Sequence, residues 1–132
     1  MPLQSPDVGK NIPPGSRHYR AFVGDTQTYD IFSYMQFTLM TLLGLRQEHT
    51  LLDIGCGSLR AGKLFVMYLL PGRYFGIEPE QWLVEEGIEH ELGRELTDRK
   101  QPRFLFDRNF SCAGFGVAFD YIVAQSIFSH AS

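Results

Sequence analysis

Cysteine is scarce in this sequence: Cys56 and Cys112 are the only two. Two thiols cannot build a disulfide framework, so a small cross-linked secreted scaffold is excluded and a reducing cytoplasm is the expected setting. A basic excess is lacking as well. Twelve Lys and Arg stand against fifteen Asp and Glu, a net charge of −3 that offers no field for holding DNA or RNA. The longest apolar runs, such as 64–70, fall far short of the roughly 20 residues of a membrane span. The opening Met-Pro-Leu-Gln-Ser-Pro has neither the charged start nor the apolar core of a secretory signal. His18, His49 and His90 are scattered without ligand spacing, so no metal site is expected. The expectation is a soluble, cytoplasmic protein with no nucleic-acid partner and no membrane contact.

What is present suits one ordinary domain. The chain has 132 residues, 44% of them hydrophobic and 14% aromatic, enough to bury a core with little surplus stability. Four of the seven prolines fall within 1–16, which reads as part of an irregular arm over 1–24. Tyr29, Phe32, Met35, Gln36, Leu39, Leu42 and Leu43 recur at helical spacing and predict an amphipathic helix over about 27–43, ended by Gly44.

A strand is predicted at 50–54, then a helix from Ser58–Leu59 to Leu70, closed by Pro71-Gly72. A second strand follows at 73–77. Pro79 opens a helix through Trp82, Leu83, Ile88 and Leu92, with Gly93 as its stop. Residues 94–103 read as a charged connector, 104–106 as a third strand ending near Asp107, and 121–124 as a fourth. Alternation of strands and helices predicts an α/β fold, a parallel sheet with helices on both faces.

The informative stretch is Leu51-Leu52-Asp53-Ile54-Gly55-Cys56-Gly57-Ser58. A strand that reverses into a helix while its backbone approaches a ligand needs glycine, both for its dihedrals and for its missing side chain. Glu78 lies 23 positions after Gly55, just past the second strand, where an acid can accept hydrogen bonds from two ribose hydroxyls. Arg60 occupies the place where a dinucleotide fingerprint has its third glycine, which disfavours an oxidoreductase. No Gly-x-x-x-x-Gly-Lys-[Ser/Thr] loop occurs, which excludes a P-loop NTPase.

Leu-Leu-Asp-Ile-Gly-Cys-Gly-Ser resembles the first motif of class I S-adenosylmethionine-dependent methyltransferases. Tyr-Phe-Gly-Ile-Glu-Pro resembles their second strand with its ribose-binding acid, and Phe-Asp-Tyr-Ile-Val-Ala-Gln-Ser their fourth strand. The resemblance runs over about 25–132 and implies a Rossmann-like domain that binds S-adenosylmethionine and transfers its methyl group. It also implies roles for individual residues. Asp53, Gly55, Cys56 and Gly57 would line the methionine and ribose side, and Glu78 would hold the ribose, with Pro79 and Gln81 close to the sugar or adenine. Asp107 or Asn109 would meet the adenine amino group, and Gln125 and Ser126 would face the sulfonium and the substrate.

Outside the family pattern, Arg60 either reaches the cofactor carboxylate or is a solvated helix charge. Cys56 reads as a space-filler rather than a nucleophile, since no His or Asp partner is adjacent to it in sequence. His130 is a candidate base that could equally pack, and Tyr19, Arg20 and Phe22 form either a lid or a cover for core. Glu85, Glu86, Glu89 and Glu91 read as a solvated helix face.

A complete domain of this family has seven strands, whereas only four are expected here, so the sheet is read as truncated after the fourth. That strand should lie at an edge beside the first, to be covered by a second copy, a swapped segment or further polypeptide. A homo-oligomer through this edge is one expectation, a small-molecule methyl acceptor another. The alternative function is a module that binds the nucleoside without turnover.

Overall fold

A computed structural model describes residues 29–124. Helix α1 (Tyr29–Leu42) leads into strand β1 (Leu51–Ile54), helix α2 (Gly62–Tyr68) and strand β2 (Tyr74–Ile77). Helix α3 (Gln81–Gly87) runs on into a π-helical turn (Ile88–Leu92), followed by helix α4 (Arg94–Lys100) and strand β3 (Arg103–Leu105). A 3-10 turn (Ala113–Phe115) precedes strand β4 (Tyr121–Val123). The strands form one all-parallel sheet in the order β3-β2-β1-β4, the Rossmann-like α/β arrangement that the alternating pattern predicts. Among the described residues no helix is long and apolar enough to cross a membrane.

The two central strands are near-continuous apolar runs, as a parallel sheet covered on both sides requires. They pair in register from Leu51 opposite Tyr74 to Ile54 opposite Ile77. β4 takes the edge beside β1, as expected, with Ile122 exposed. Its start is tied down by Asp120, whose carboxylate accepts the Thr50 backbone N–H at 2.8 Å and the Thr50 hydroxyl at 3.2 Å. The backbone N–H of Thr50 holds the Asp120 carboxyl below its ordinary range.

The helices gather over one face, where Phe65, Val66, Val84 and Leu92 pack with Leu51, Tyr74 and partly buried Phe104. The other face is covered by the segment between β3 and β4, which lays Phe110, Phe115 and Phe119 over Leu52, Phe75 and Ile77. Among the described residues the α-helices lie on the first face, and the second carries a 3-10 turn.

Three local expectations are corrected. Residues 94–103 are no mere connector: α4 forms there, held by the Thr97 hydroxyl on Gly93 O, by an Arg99–Glu95 pair at 2.8 Å and by Leu96 against the core. Its one inward apolar residue leaves no periodicity to read. Glu91 is no solvated charge, since it pairs with Lys63 at 3.0 Å and its side chain is 5% exposed.

The third correction is α1, which is turned over. Of the residues expected to face the core, only Gln36 is buried, while Phe32, Met35, Leu39, Leu42 and Leu43 are exposed; the side chain of Tyr29 is outside the described set. The inward side is instead Ser33, Gln36, Phe37 and Met40. Phe37 sets this rotation by stacking on Phe65 and Tyr68 at centroid distances of 5.6 and 5.4 Å.

Candidate functional site: the glycine turn and its acids

At the C-terminal end of β1 the chain leaves the sheet through three alternating left-handed residues, Gly55 (φ 74°), Gly57 (φ 56°) and Leu59 (φ 66°). Glycine takes this conformation freely, whereas a leucine does so at a cost of about 1–2 kcal/mol. Burial of the Leu59 side chain in the helix-covered core offsets that cost. The winding turn also delays the helix: α2 starts at Gly62, not at Ser58 or Leu59 as the sequence predicts. The turn amides therefore do not belong to the first turn of a helix. They are positioned by the sheet, with the Gly55 and Cys56 N–H groups donating to Ile77 O at 2.7 and 3.1 Å.

Glu78 closes this arrangement. Its carboxylate points into the turn, accepting the Gly57 N–H at Oε1 (3.0 Å) and the Glu80 N–H at Oε2 (2.9 Å). One side chain so links the exit of β1 to the start of α3, in a buried position.

Asp53 is the second acid. It lies opposite Gly76 and Val123 in the sheet, buried on the helix-covered face, and accepts the Tyr74 hydroxyl at 2.6 Å. Burial raises the Asp53 carboxyl to about 7, offset in part by the Tyr74 hydrogen bond and the Arg60 charge, with Glu78 pushing it further up. Burial also pushes the Tyr74 hydroxyl and the Cys56 thiol well above their ordinary values. Cys56 is accordingly a protonated filler, lodged where a Cβ on Gly76 would meet its Sγ at 2.8 Å.

Arg60 is neither in a helix nor solvated. It is buried in the turn with its guanidinium 5.5 Å from the Phe32 ring centroid, and its charge acts on Asp53.

The structure thus brings Asp53, Gly55, Cys56, Gly57, Arg60 and Glu78 together, with Pro79 next in chain. Three other expected residues have hydrogen bonds of their own. Gln81 is exposed and its amide donates to Glu85 at 3.1 Å, one turn along its own helix. Asp107 turns onto its own loop, accepting the N–H of Asn109 (2.9 Å) and of Ser111 (3.3 Å). Asn109 is exposed. Gln125, Ser126, His130, Tyr19, Arg20 and Phe22 lie outside the described residues.

No protein-family model matches the chain, and no match was found among the curated proteins.

Tyr74 is the site residue that sequence reasoning passed over. Parity contained the signal: along β2, Tyr74 shares a face with Gly76, and Gly76 is the register partner of Asp53.

Proposed function

We propose that this chain binds S-adenosylmethionine at the glycine turn and serves methyl transfer to a small-molecule acceptor in the cytoplasm. One observation carries the reading: the Glu78 carboxylate, at the tip of β2, is directed at the Gly57 backbone. A sugar lying over the turn would meet that carboxylate, whose two oxygens suit a vicinal diol. Gly55 and Gly57 keep the approach free of side chains, and buried Arg60 and Asp53 supply a cation and a titratable acid beside it. When bound, the cofactor supplies a methyl group activated on a sulfonium, with a neutral thioether as leaving group. The protein is then left with orientation and exclusion of water, and no catalytic triad is called for.

The net charge of −3 favours a small acceptor over a polyanion, and two free cysteines suit a reducing compartment. A second reading, binding without turnover, draws on the engagement of both acids beside the turn: Asp53 by Tyr74 and Glu78 by two amides.

Calorimetric titration with S-adenosylhomocysteine and with NAD tests the binding that both readings share. The nucleoside thioether should bind and NAD should not. Glu78→Ala should weaken binding by about 10- to 100-fold, the worth of charge-assisted hydrogen bonds to a diol. An alanine variant that holds S-adenosylhomocysteine as tightly as its parent ends the assignment. A methyl-transfer assay over candidate acceptors then separates turnover from binding alone.

A further inference from the structure

The ring and the hydroxyl of Tyr74 have separate uses. The ring packs edge-on to Phe104 at a centroid distance of 6.2 Å, which a phenylalanine would do equally well. The hydroxyl is buried and donates to Asp53 Oδ2 at 2.6 Å. Room for it is left on α2, where a Cβ on Gly62 would stand 2.5 Å from the Tyr74 oxygen. Burial keeps this hydroxyl protonated, so it serves Asp53 as a donor.

Asp53 is the variable charge at this end of the sheet. Arg60 acts on it from the turn and Glu78 from the tip of β2, one cation and one carboxylate. Cys56 and Tyr74, the titratable groups beside it, stay neutral because burial raises both. On its other side β4 sets the apolar Val123. The charged residues of α1 and α2, Asp30 and Lys63, pair with each other at 3.0 Å, and Lys63 also pairs with Glu91. Among the described residues, Asp53, Arg60 and Glu78 therefore sum to zero charge while Asp53 is protonated, and to a net negative charge once it ionises.

We propose that Tyr74 is a positioning residue for Asp53, holding it as the carboxylate whose charge lets the turn favour a sulfonium cofactor over the neutral thioether left after methyl transfer. This inference rests on the reading of the turn as a site for S-adenosylmethionine. That ligand carries a sulfonium and an ammonium against a single carboxylate. Transfer breaks the bond from sulfur to the methyl carbon, leaves its electron pair on sulfur and joins the methyl carbon to the acceptor atom, so the ligand loses its net positive charge. An ionised Asp53 attracts the form before transfer more than the form after it, whereas a protonated one does not distinguish them. Tyr74 shifts that balance near neutral pH. Burial raises the Asp53 carboxyl to about 7, and the hydrogen bond from Tyr74 pulls against that rise.

Two measurements on the full 132-residue chain test the proposal. In the unliganded protein, the Asp53 carboxyl carbon followed by NMR should titrate at about 7. Tyr74→Phe should raise its proton affinity about tenfold, the effect of losing a hydrogen bond to a charged group. The second measurement is calorimetry at about pH 5.5 and about pH 7.5, where the affinity ratio of S-adenosylmethionine to S-adenosylhomocysteine should rise about fivefold with pH in the parent. Tyr74→Phe should at least halve that rise. Asp53→Asn keeps an acceptor for Tyr74 and should abolish it, an arm that does not depend on the phenylalanine variant folding. A ratio that is flat in the parent, one that rises as much in Asp53→Asn, or an Asp53 titration indifferent to the Tyr74 hydroxyl overturns the proposal and leaves the cofactor reading standing. A parent that binds neither ligand at either pH overturns both.

Discussion

The two faces of the sheet are made from alternate residues of the same four strands and differ in what they bury. Beneath the helices, Leu51, Tyr74 and Phe104 pack with aliphatic side chains, yet Asp53, Tyr74, Cys56 and Gly76 place polar groups and a backbone gap near the C-terminal end of β1. Beneath the 106–120 segment the layer is apolar and half aromatic. Phe75, Phe115 and Phe119 meet edge to face at 5.1 to 6.1 Å, with the Arg103 guanidinium over Phe75 and Phe115. The first face tolerates a buried acid because Tyr74 donates to it and Arg60 lies close. The second offers no such donor set, and its cohesion comes from ring packing on a segment that has little regular structure of its own.

That contrast can be broken most directly at Phe75. Phe75→Ala should cost about 4 kcal/mol in urea unfolding, since both of its ring partners lose their contact. A loss below about 1 kcal/mol would mean that the aromatic segment does not form a packed layer.

The next largest effect belongs to the polar face. The native Asp53 carboxyl titrates near 7 and the unfolded one near its ordinary 3.8, so the native state binds this proton more tightly. Its contribution to stability is therefore present at low pH, falls as pH rises between those values, and is fully lost above about 7. Asp53→Asn keeps an acceptor for Tyr74 and removes the titration. Its stability relative to the parent should rise by about 3 kcal/mol between pH 5 and pH 8, read from unfolding curves at each pH. A difference that stays flat with pH would show that Asp53 is not held protonated by its surroundings.

The smallest effect sharpens the comparison. Arg103→Met should cost no more than about 0.5–1 kcal/mol, the worth of an exposed cation over a ring. A larger loss would make the cation, not the rings, the support of the second face.

Much of the architecture was legible in order and kind. The strand–helix alternation and the Gly55-Cys56-Gly57 bend are local signals, and the sheet adopts the order they imply. The pairing of Glu78 with the turn was readable too, because two neighbouring parallel strands end side by side and the acid follows the second of them. The failures have a common cause. Helix α4 has one inward apolar residue, α1 has apolar residues on the side away from the core, and Leu59 adopts a glycine-like conformation. In each case the decisive contact comes from a residue distant in sequence: the core around Leu96, Phe65 and Tyr68 against Phe37, and the core around Leu59.

From its residues alone this chain was committed to a parallel α/β sheet with a side-chain-poor bend facing an acid, because hydrophobic period, turn glycines and strand order act over short stretches. Folding in three dimensions decided which side of α1 meets the core, that Tyr74 stands beneath Asp53, and that Arg60 is buried rather than solvated. Those outcomes follow from packing. A side chain's surroundings are set by whatever the rest of the chain brings within a few ångströms of it, and no local period encodes that.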